Sequence, residues 1–357
     1  MIETALLKEE EFFKMKYKNF IKKKKKKLKL KEMNYNFVIK VLFVSFIILL
    51  MIFLFIKIRM FIKKMNNKYL YLGNNSKSNS YFACFCAKAR GENIYANELI
   101  SYYSKLGVGK FIFGDNNLNG TEKLEDVLKD YVKQGNVDIY EIYGLNIGQA
   151  EFNQIIYEKY KARCGWFLFF DFDEYLDIHF ENNISLTLQD FLTNNTFDKC
   201  EAILFNWLIY TDNDLIYYDN RTLLERFTVP KYNLIDNTIV KSIVRGGLNK
   251  TIFYPKKSNH VPDANLKICN SIGDILTRYN PFNVRPPIYK YGELKHFTTK
   301  TAEEYANKTR RGANRNIAYK PEDRVKLFFR FNKFSQEKLN FFEKQFNKSF
   351  RIINKIS

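Results

Sequence analysis

Two aspartates, one residue apart, close the most apolar strand-length stretch beyond residue 80. Gly165 to Asp171 reads GWFLFFD, and Phe172, Asp173 and Glu174 follow. In extended backbone, residues i and i+2 share a face, so the Asp171 and Asp173 carboxylates point the same way. Two carboxylates that close repel unless a cation sits between or beside them. Oxygen ligands suit Mg2+ or Mn2+, and both ions also bind substrate phosphates. A strand that merely ends in solvated acids would explain a bare Asp-x-Asp. Here the pair ends a wholly apolar strand inside a repeated βα unit, which favours a functional site.

The same motif opens phosphatases of the haloacid-dehalogenase type, with Asp171 as the nucleophile. Three features depart from that pattern. Tyr175 stands where Thr or Val is usual, the motif lies 170 residues into the chain, and no paired acidic motif follows.

The elements that position the pair can be read from periodicity. YFACFCAK, from Tyr81, reads as a strand. Asn93 to Leu106 carries Tyr95, Leu99, Tyr102, Tyr103 and Leu106 at helical spacing. KFIFGD is a second strand. Thr121 to Gln134 is a second helix, with Gly135 placed to stop it. VDIYEIY is a third strand, and Gln149 to Ala162 a third helix with Phe152, Ile156 and Tyr160 spaced by four. This β-α-β-α-β-α-β order predicts an α/β, Rossmann-like fold whose mostly parallel sheet has helices on both faces. Ligands of such sheets bind at the carboxyl ends of the strands. Each strand here ends in polar chemistry: Arg90-Gly91-Glu92-Asn93, Asp115-Asn116-Asn117 and Asp171-Phe172-Asp173-Glu174. Farther on, EAILFNWLIY, TLLERFTV and NTIVKSIVR read as strands. The last 37 residues, from Pro321, read as a basic-aromatic helical hairpin with Phe328, Phe331, Phe334, Phe342, Phe346 and Phe350; a membrane-surface helix is the alternative.

Charge placement separates membrane from nucleic acid. The 357-residue chain carries a net +20, but residues 1–68 hold 18 Lys/Arg against 5 Glu. Most of the positive charge therefore lies beside an apolar run, which reads as a topology signal and against nucleic-acid binding. Val41 to Ile56 is uncharged, and Lys40 and Lys57 can snorkel outward to lengthen it. The expected organisation is a basic tail over 1–36, a transmembrane signal anchor over 37–58 and a polar stem over 59–80. Nine Lys/Arg in 17–36 against six in 57–77 favour a single-pass membrane protein with a cytosolic N-terminus. Cys84, Cys86, Cys164, Cys200 and Cys269 include no CxxC pair, which disfavours zinc. Their odd count leaves at least one thiol without an intrachain partner, and they read as buried core cysteines.

Several ordered segments together resemble glycosyltransferase family 92 and related family-2-like transferases. These are RGENIYANELISYYSKLGVGKFIFGDNN, QAEFNQIIYEKYKARCGWFLFFDFDEYLDI, FNWLIYTDNDLIYYDNRTLLERF, VKSIV and LKHFTTKTAEEYANKTRRG, spanning about Phe82 to Gly312. The resemblance implies a GT-A fold over 81–320, followed by the helical extension 321–357. It implies a nucleotide-sugar pocket lined by Arg90, Glu92, Asp115 and Gln149, with Lys300, Lys308 and Arg311 neutralising diphosphate charge. It implies Mn2+ or Mg2+ held by Asp171, Asp173 and His296, and inversion at the anomeric carbon. Arg90-Gly91-Glu92 stands where this group commonly has Lys-Asn-Glu.

That chemistry needs a further carboxylate to take the acceptor proton. Asp212 and Asp214, in YTDNDL, are the candidates, with Trp207 and Tyr210 as acceptor-sugar platforms. The expected partners are a nucleotide-sugar donor, UDP-sugar favoured, a glycan, glycolipid or glycoprotein acceptor, and the membrane. Type II topology places catalysis in a secretory lumen such as the Golgi. Eight N-x-S/T sequons after the span permit this: Asn74, Asn119, Asn183, Asn194, Asn220, Asn249, Asn307 and Asn347. A bacterial enzyme would instead work at the cytoplasmic face of the inner membrane. The competing classes are the phosphatase and a non-catalytic, basic, membrane-tethered binding protein.

Overall fold

Apolar runs of five to nine residues, alternating with amphipathic stretches of ten to twelve, decide the architecture. A computed structural model describes residues 22, 43, 45–47, 50–53, 57, 71–72, 80–145, 147–180, 186–254, 258–263, 265–277, 284–312 and 319–350. The chain divides into two units, Met1–Tyr69 and Leu70–Ser357. In the first, the described residues are helical, and Phe43, Phe46, Met51 and Phe53 are well exposed. Among the described residues no helix is long and apolar enough to cross a membrane. The expected tail 1–36, span 37–58 and stem 59–80 fall largely outside the described residues.

The second unit is built on one sheet. Its strands are β1 (Tyr71–Leu72), β2 (Tyr81–Ala89), β3 (Val108–Asp115), β4 (Val137–Glu141), β5 (Cys164–Phe169), β6 (Glu174–Ile178), β7 (Ala202–Ile209), β8 (Val240–Arg245), β9 (Ile268–Asn270) and β10 (Gly292–His296). They lie in the order β1-β4-β3-β2-β5-β8-β7-β10-β6, with β9 beside β7. Strands β4, β3, β2 and β5 are mutually parallel, as the βα alternation predicts. The rest is mixed. β8 runs antiparallel to both β5 and β7, β10 is parallel to β7, and β6 returns antiparallel to β10.

Helices α1 (Ala96–Lys105), α2 (Leu124–Lys133) and α3 (Gln149–Tyr160) occupy the three predicted places. Alternate residues of β2 separate the two faces. Phe85 and Ala87 join Leu99, Tyr103, Leu124 and Leu128 of α1 and α2 in one core, whereas Cys86 on the other face meets Asn153 of α3. Short helices α4 (Leu188–Leu192) and α5 (Leu223–Arg226) follow, then α6 (Ala302–Arg311), α7 (Pro321–Phe331) and α8 (Gln336–Phe346). The last three share a second core of Tyr305, Val325, Phe328, Phe329, Leu339 and Phe342. The aromatic residues of the C-terminal hairpin therefore pack inward.

Two expectations are corrected. TLLERFTV holds a helix, not a strand, because Thr222 and Glu225 form a capping box around its first turn. The cysteines are not merely core residues. Cys84 bridges Cys164, tying β2 to β5, and Cys200 bridges Cys269, tying the start of β7 to β9. Cys86 alone stays a thiol, buried, with its pKa raised by that burial.

Candidate active site

The carboxyl ends of β2, β5 and β10 open onto one region. The start of β8 faces the same end, because β8 is antiparallel and pairs Ser242 with Phe169. Asp171 leaves β5 with one oxygen held by the Gln149 amide at 2.5 Å and the other by the Lys241 ammonium at 2.7 Å. Its backbone N–H donates to Glu174, whose side chain is fully buried 3.6 Å from Lys241. Asp173 receives two ammonium groups on Oδ2, Lys308 at 2.9 Å and Lys300 at 3.2 Å. Its Oδ1 faces His296 Nε2 at 3.7 Å.

Burial alone would raise both aspartate carboxyls, but the lysines outweigh it. Lys241 holds Asp171 below the usual range, and Lys300 with Lys308 holds Asp173 well below it. Glu174 goes the other way: burial dominates and pushes its carboxyl well up. Burial also lowers His296, and takes His260 down to about 4, so both rings are neutral at neutral pH. His260 rests against the Val240 carbonyl and the Trp207 edge, a structural placement.

Two cavities adjoin the pair. One, of about 220 Å3, is lined by Arg90, Asn116, Gln149, Asp171, Asp173 and Tyr319 among others. The second, of about 260 Å3, is lined by Tyr95, Lys300, Glu304 and Asn307 among others. Glu92, Lys308 and Arg311 line both. Helix α6 supplies that shared wall, since Lys308 and Arg311 stand three residues apart on one face. Its N-terminus is fixed by a capping box between Thr301 and Glu304, and Glu304 also takes the buried Arg226 guanidinium at 2.7 and 3.1 Å and the Tyr95 hydroxyl. Opposite α6, the Arg90-Gly91-Glu92 loop turns at Gly91, with φ +61°, where a Cβ would stand 3.1 Å from the Arg311 side chain. Glycine tolerates this left-handed backbone, which accounts for Gly91 at the turn.

The structure brings Arg90, Glu92, Gln149, Asp171, Asp173, Lys300, Lys308 and Arg311 to these cavities, with His296 beside Asp173. It does not bring the other candidates there. Asp115 is buried, accepting the backbone N–H groups of Asn117 and Leu124, and so fastens the start of α2. Trp207 packs on the His296 ring at 4.0 Å, and Tyr210 packs on Phe297. Asp212 and Asp214 both hold Lys338 of α8, at 2.7 and 2.8 Å. The sequence reading missed Lys241. Its signal was a lysine in the middle of a strand, VKSIVR, whose neighbours are buried on both faces.

The expected cation ligands do not fit a divalent ion as they stand. Three of the four aspartate oxygens carry an amide or ammonium donor. Among the described residues, no group of three His, Cys, Asp or Glu side chains is arranged to hold a metal.

The family model of Glycosyltransferase family 92 matches residues 92–346. No curated protein matches the sequence. Among solved structures, S. aureus TarS is similar at 15% identity and a TM-score of 0.33, over 74% of this chain and 49% of that one; the chain thus spans about half the length of TarS.

Proposed function

The chain belongs to glycosyltransferase family 92, and from that premise we propose that it moves a sugar from a nucleotide-diphosphate donor to a glycan, glycolipid or glycoprotein acceptor at the cavities beside Asp171 and Asp173. The observation that carries this reading is the shared wall of Lys308 and Arg311, faced by Lys300 and by the Asp171–Asp173 pair. Cations gathered at a cleft suit an anionic leaving group. In the transfer, the acceptor hydroxyl oxygen bonds to the anomeric carbon. The bond from that carbon to the diphosphate breaks, its electron pair leaves on the phosphate oxygen, and the hydroxyl proton passes to solvent. Inversion at that carbon and a UDP-sugar donor are part of the proposal. Asp212 and Asp214, engaged with Lys338, are assigned to holding the C-terminal hairpin rather than to taking that proton.

The proposed setting is a membrane-anchored protein with its catalytic unit in a secretory lumen. Two disulfides suit an oxidising compartment. Asn119, Asn220, Asn249, Asn307 and Asn347 of the sequons are exposed. Asn194 is half-buried, and Asn74 and Asn183 lie outside the described residues.

The test is thermal stability of the full chain in detergent against UDP- and GDP-sugars, followed by product analysis with glycan acceptors. A rise with one nucleotide sugar, absent in Asp171→Ala, is the expected result. No response from a folded protein to any nucleotide sugar would sink the reading.

A further inference from the structure

We infer that the enzyme neutralises the departing nucleoside diphosphate with its own lysine and arginine side chains, and that Asp171 and Asp173 hold those side chains in place rather than a divalent cation. This rests on the donor reading above for the identity of the ligand.

The oxygen inventory comes first. A Mg2+ ion binds carboxylate oxygens at about 2.0–2.1 Å in near-octahedral geometry. An ammonium at 2.7 Å from Asp171 Oδ2, and two at 2.9 and 3.2 Å from Asp173 Oδ2, stand in the space that such an ion would enter. They are not surface lysines that swing away at little cost. Lys241 is fully buried and Lys300 is 4 % exposed. Taking Asp171 from Lys241 would leave the buried ammonium with only Glu174, at 3.6 Å, among the described carboxylates. A buried charge stripped of its partner is a costly state.

Charge balance points the same way. Lys88, Arg90, Lys241, Lys300, Lys308 and Arg311 surround Glu92, Asp171 and Asp173. With Glu304, which also lines the second cavity, six cations face four carboxylates among the described residues, an excess of the sign that a nucleoside diphosphate needs. Adding a dication would set it among like charges.

Placement supplies the third line. The Arg311 Nε–H is buried without an acceptor, and its guanidinium is 3.8 Å from Glu92, too far for a hydrogen bond. A planar guanidinium with a free donor at a cavity wall is suited to phosphate oxygens. Lys300 holds a positive φ of +57°, rare for a side-chain-bearing residue. Strain of this kind persists where the surrounding structure fixes it, here with the ammonium between Asp173 and the Tyr95 ring.

The experiment uses the full chain in detergent, dialysed against EDTA, and calorimetric titration with UDP and with GDP, in EDTA and in Mn2+. The expected result is one nucleotide bound with affinities that agree within about threefold in the two buffers, and turnover unaffected by EDTA. Lys308→Gln and Arg311→Gln, each checked for an unchanged melting temperature, should weaken that binding about tenfold or more, and Lys308→Arg should restore most of it. Binding that vanishes in EDTA and returns with Mn2+ would overturn the inference and leave the transferase reading standing. Unchanged binding in both Gln variants would also overturn it. No binding of either nucleotide in either buffer, by a folded protein, would remove the donor reading and this inference with it.

Discussion

The Lys338 ammonium lies 2.7 Å from the Asp212 carboxylate, and both side chains are only 2 % exposed. Asp212 also receives the Asp214 N–H on Oδ1, while its own N–H donates to Asn332. A helix near the end of the chain is thereby fastened to the loop after β7. Lys338→Met would leave that carboxylate buried without its cation, and should lower unfolding free energy by about 3–5 kcal/mol. Urea unfolding measures it, and adding Asp212→Asn to the same chain should recover part of the loss. A loss below about 1 kcal/mol, the value of an exposed pair, would mean that the pair is solvated.

The Arg226–Glu304 pair gives a pH prediction. Burial would raise the Glu304 carboxyl, but the bidentate Arg226 and the Tyr95 hydroxyl hold it below its usual value. The folded-state pKa is thus the lower of the two, so at acid pH the unfolded chain binds the extra proton. The stabilisation is present above about pH 4.5 and is lost as pH falls through the folded value. In Arg226→Met the lowering is lost, so the fall in melting temperature on the acid side should be smaller than in the wild type. Because Glu304 fixes the start of α6, nucleotide binding should weaken as well. Superimposable pH–melting curves would refute this.

Thiol chemistry tests the bridges. Alkylation of the denatured, unreduced protein should label one cysteine, Cys86, and reduction before alkylation should label all five. Each bridge closes a long loop, 80 and 69 residues, and its removal should cost about 2–5 kcal/mol. Cys200→Ser with Cys269→Ser isolates the second bridge. Five labelled cysteines without reductant would remove the oxidising-compartment argument.

Gly91 offers a local test. Gly91→Ala forces an L side chain into a left-handed conformation at a cost of about 1 kcal/mol, and its Cβ crowds Arg311. Nucleotide affinity should fall with only a small change in melting temperature. Gly91→Asn should show less backbone strain than Gly91→Ala, though the same crowding. Equal affinity in Gly91→Ala and wild type would show that Arg311 does not contact the ligand.

The four parallel strands and three helices were readable because each buries a regular apolar stripe, and local periodicity reports that burial. The Asp171–Asp173 pair was readable because an acid is conspicuous at the end of a strand without other polar groups. In the mixed half, β7 and β8 are readable as strands in EAILFNWLIY and NTIVKSIVR, but the pairing is not. Strands β6 and β10 pair across more than a hundred residues, and nothing local encodes that register. The disulfide partners are likewise distant. TLLERFTV was misread because its β-branched and apolar residues outweighed a Thr-x-x-Glu cap in plain view. Asp212 looked available for proton transfer because sequence shows an acid in a loop, but not the lysine brought to it from 126 positions downstream.

The contact between α8 and the loop after β7 also has a meaning for how the protein is made. Residues 336–346 leave the ribosome after every residue of the sheet and the site. Until they arrive, Asp212 has no cation to pair with, and the aromatic face of α7 lacks Leu339 and Phe342. A nascent or truncated chain therefore carries an exposed greasy helix and an unsatisfied acid, the features that chaperones and proteases act on. A chain cut before residue 336 is therefore expected to melt at a lower temperature than one that carries α8.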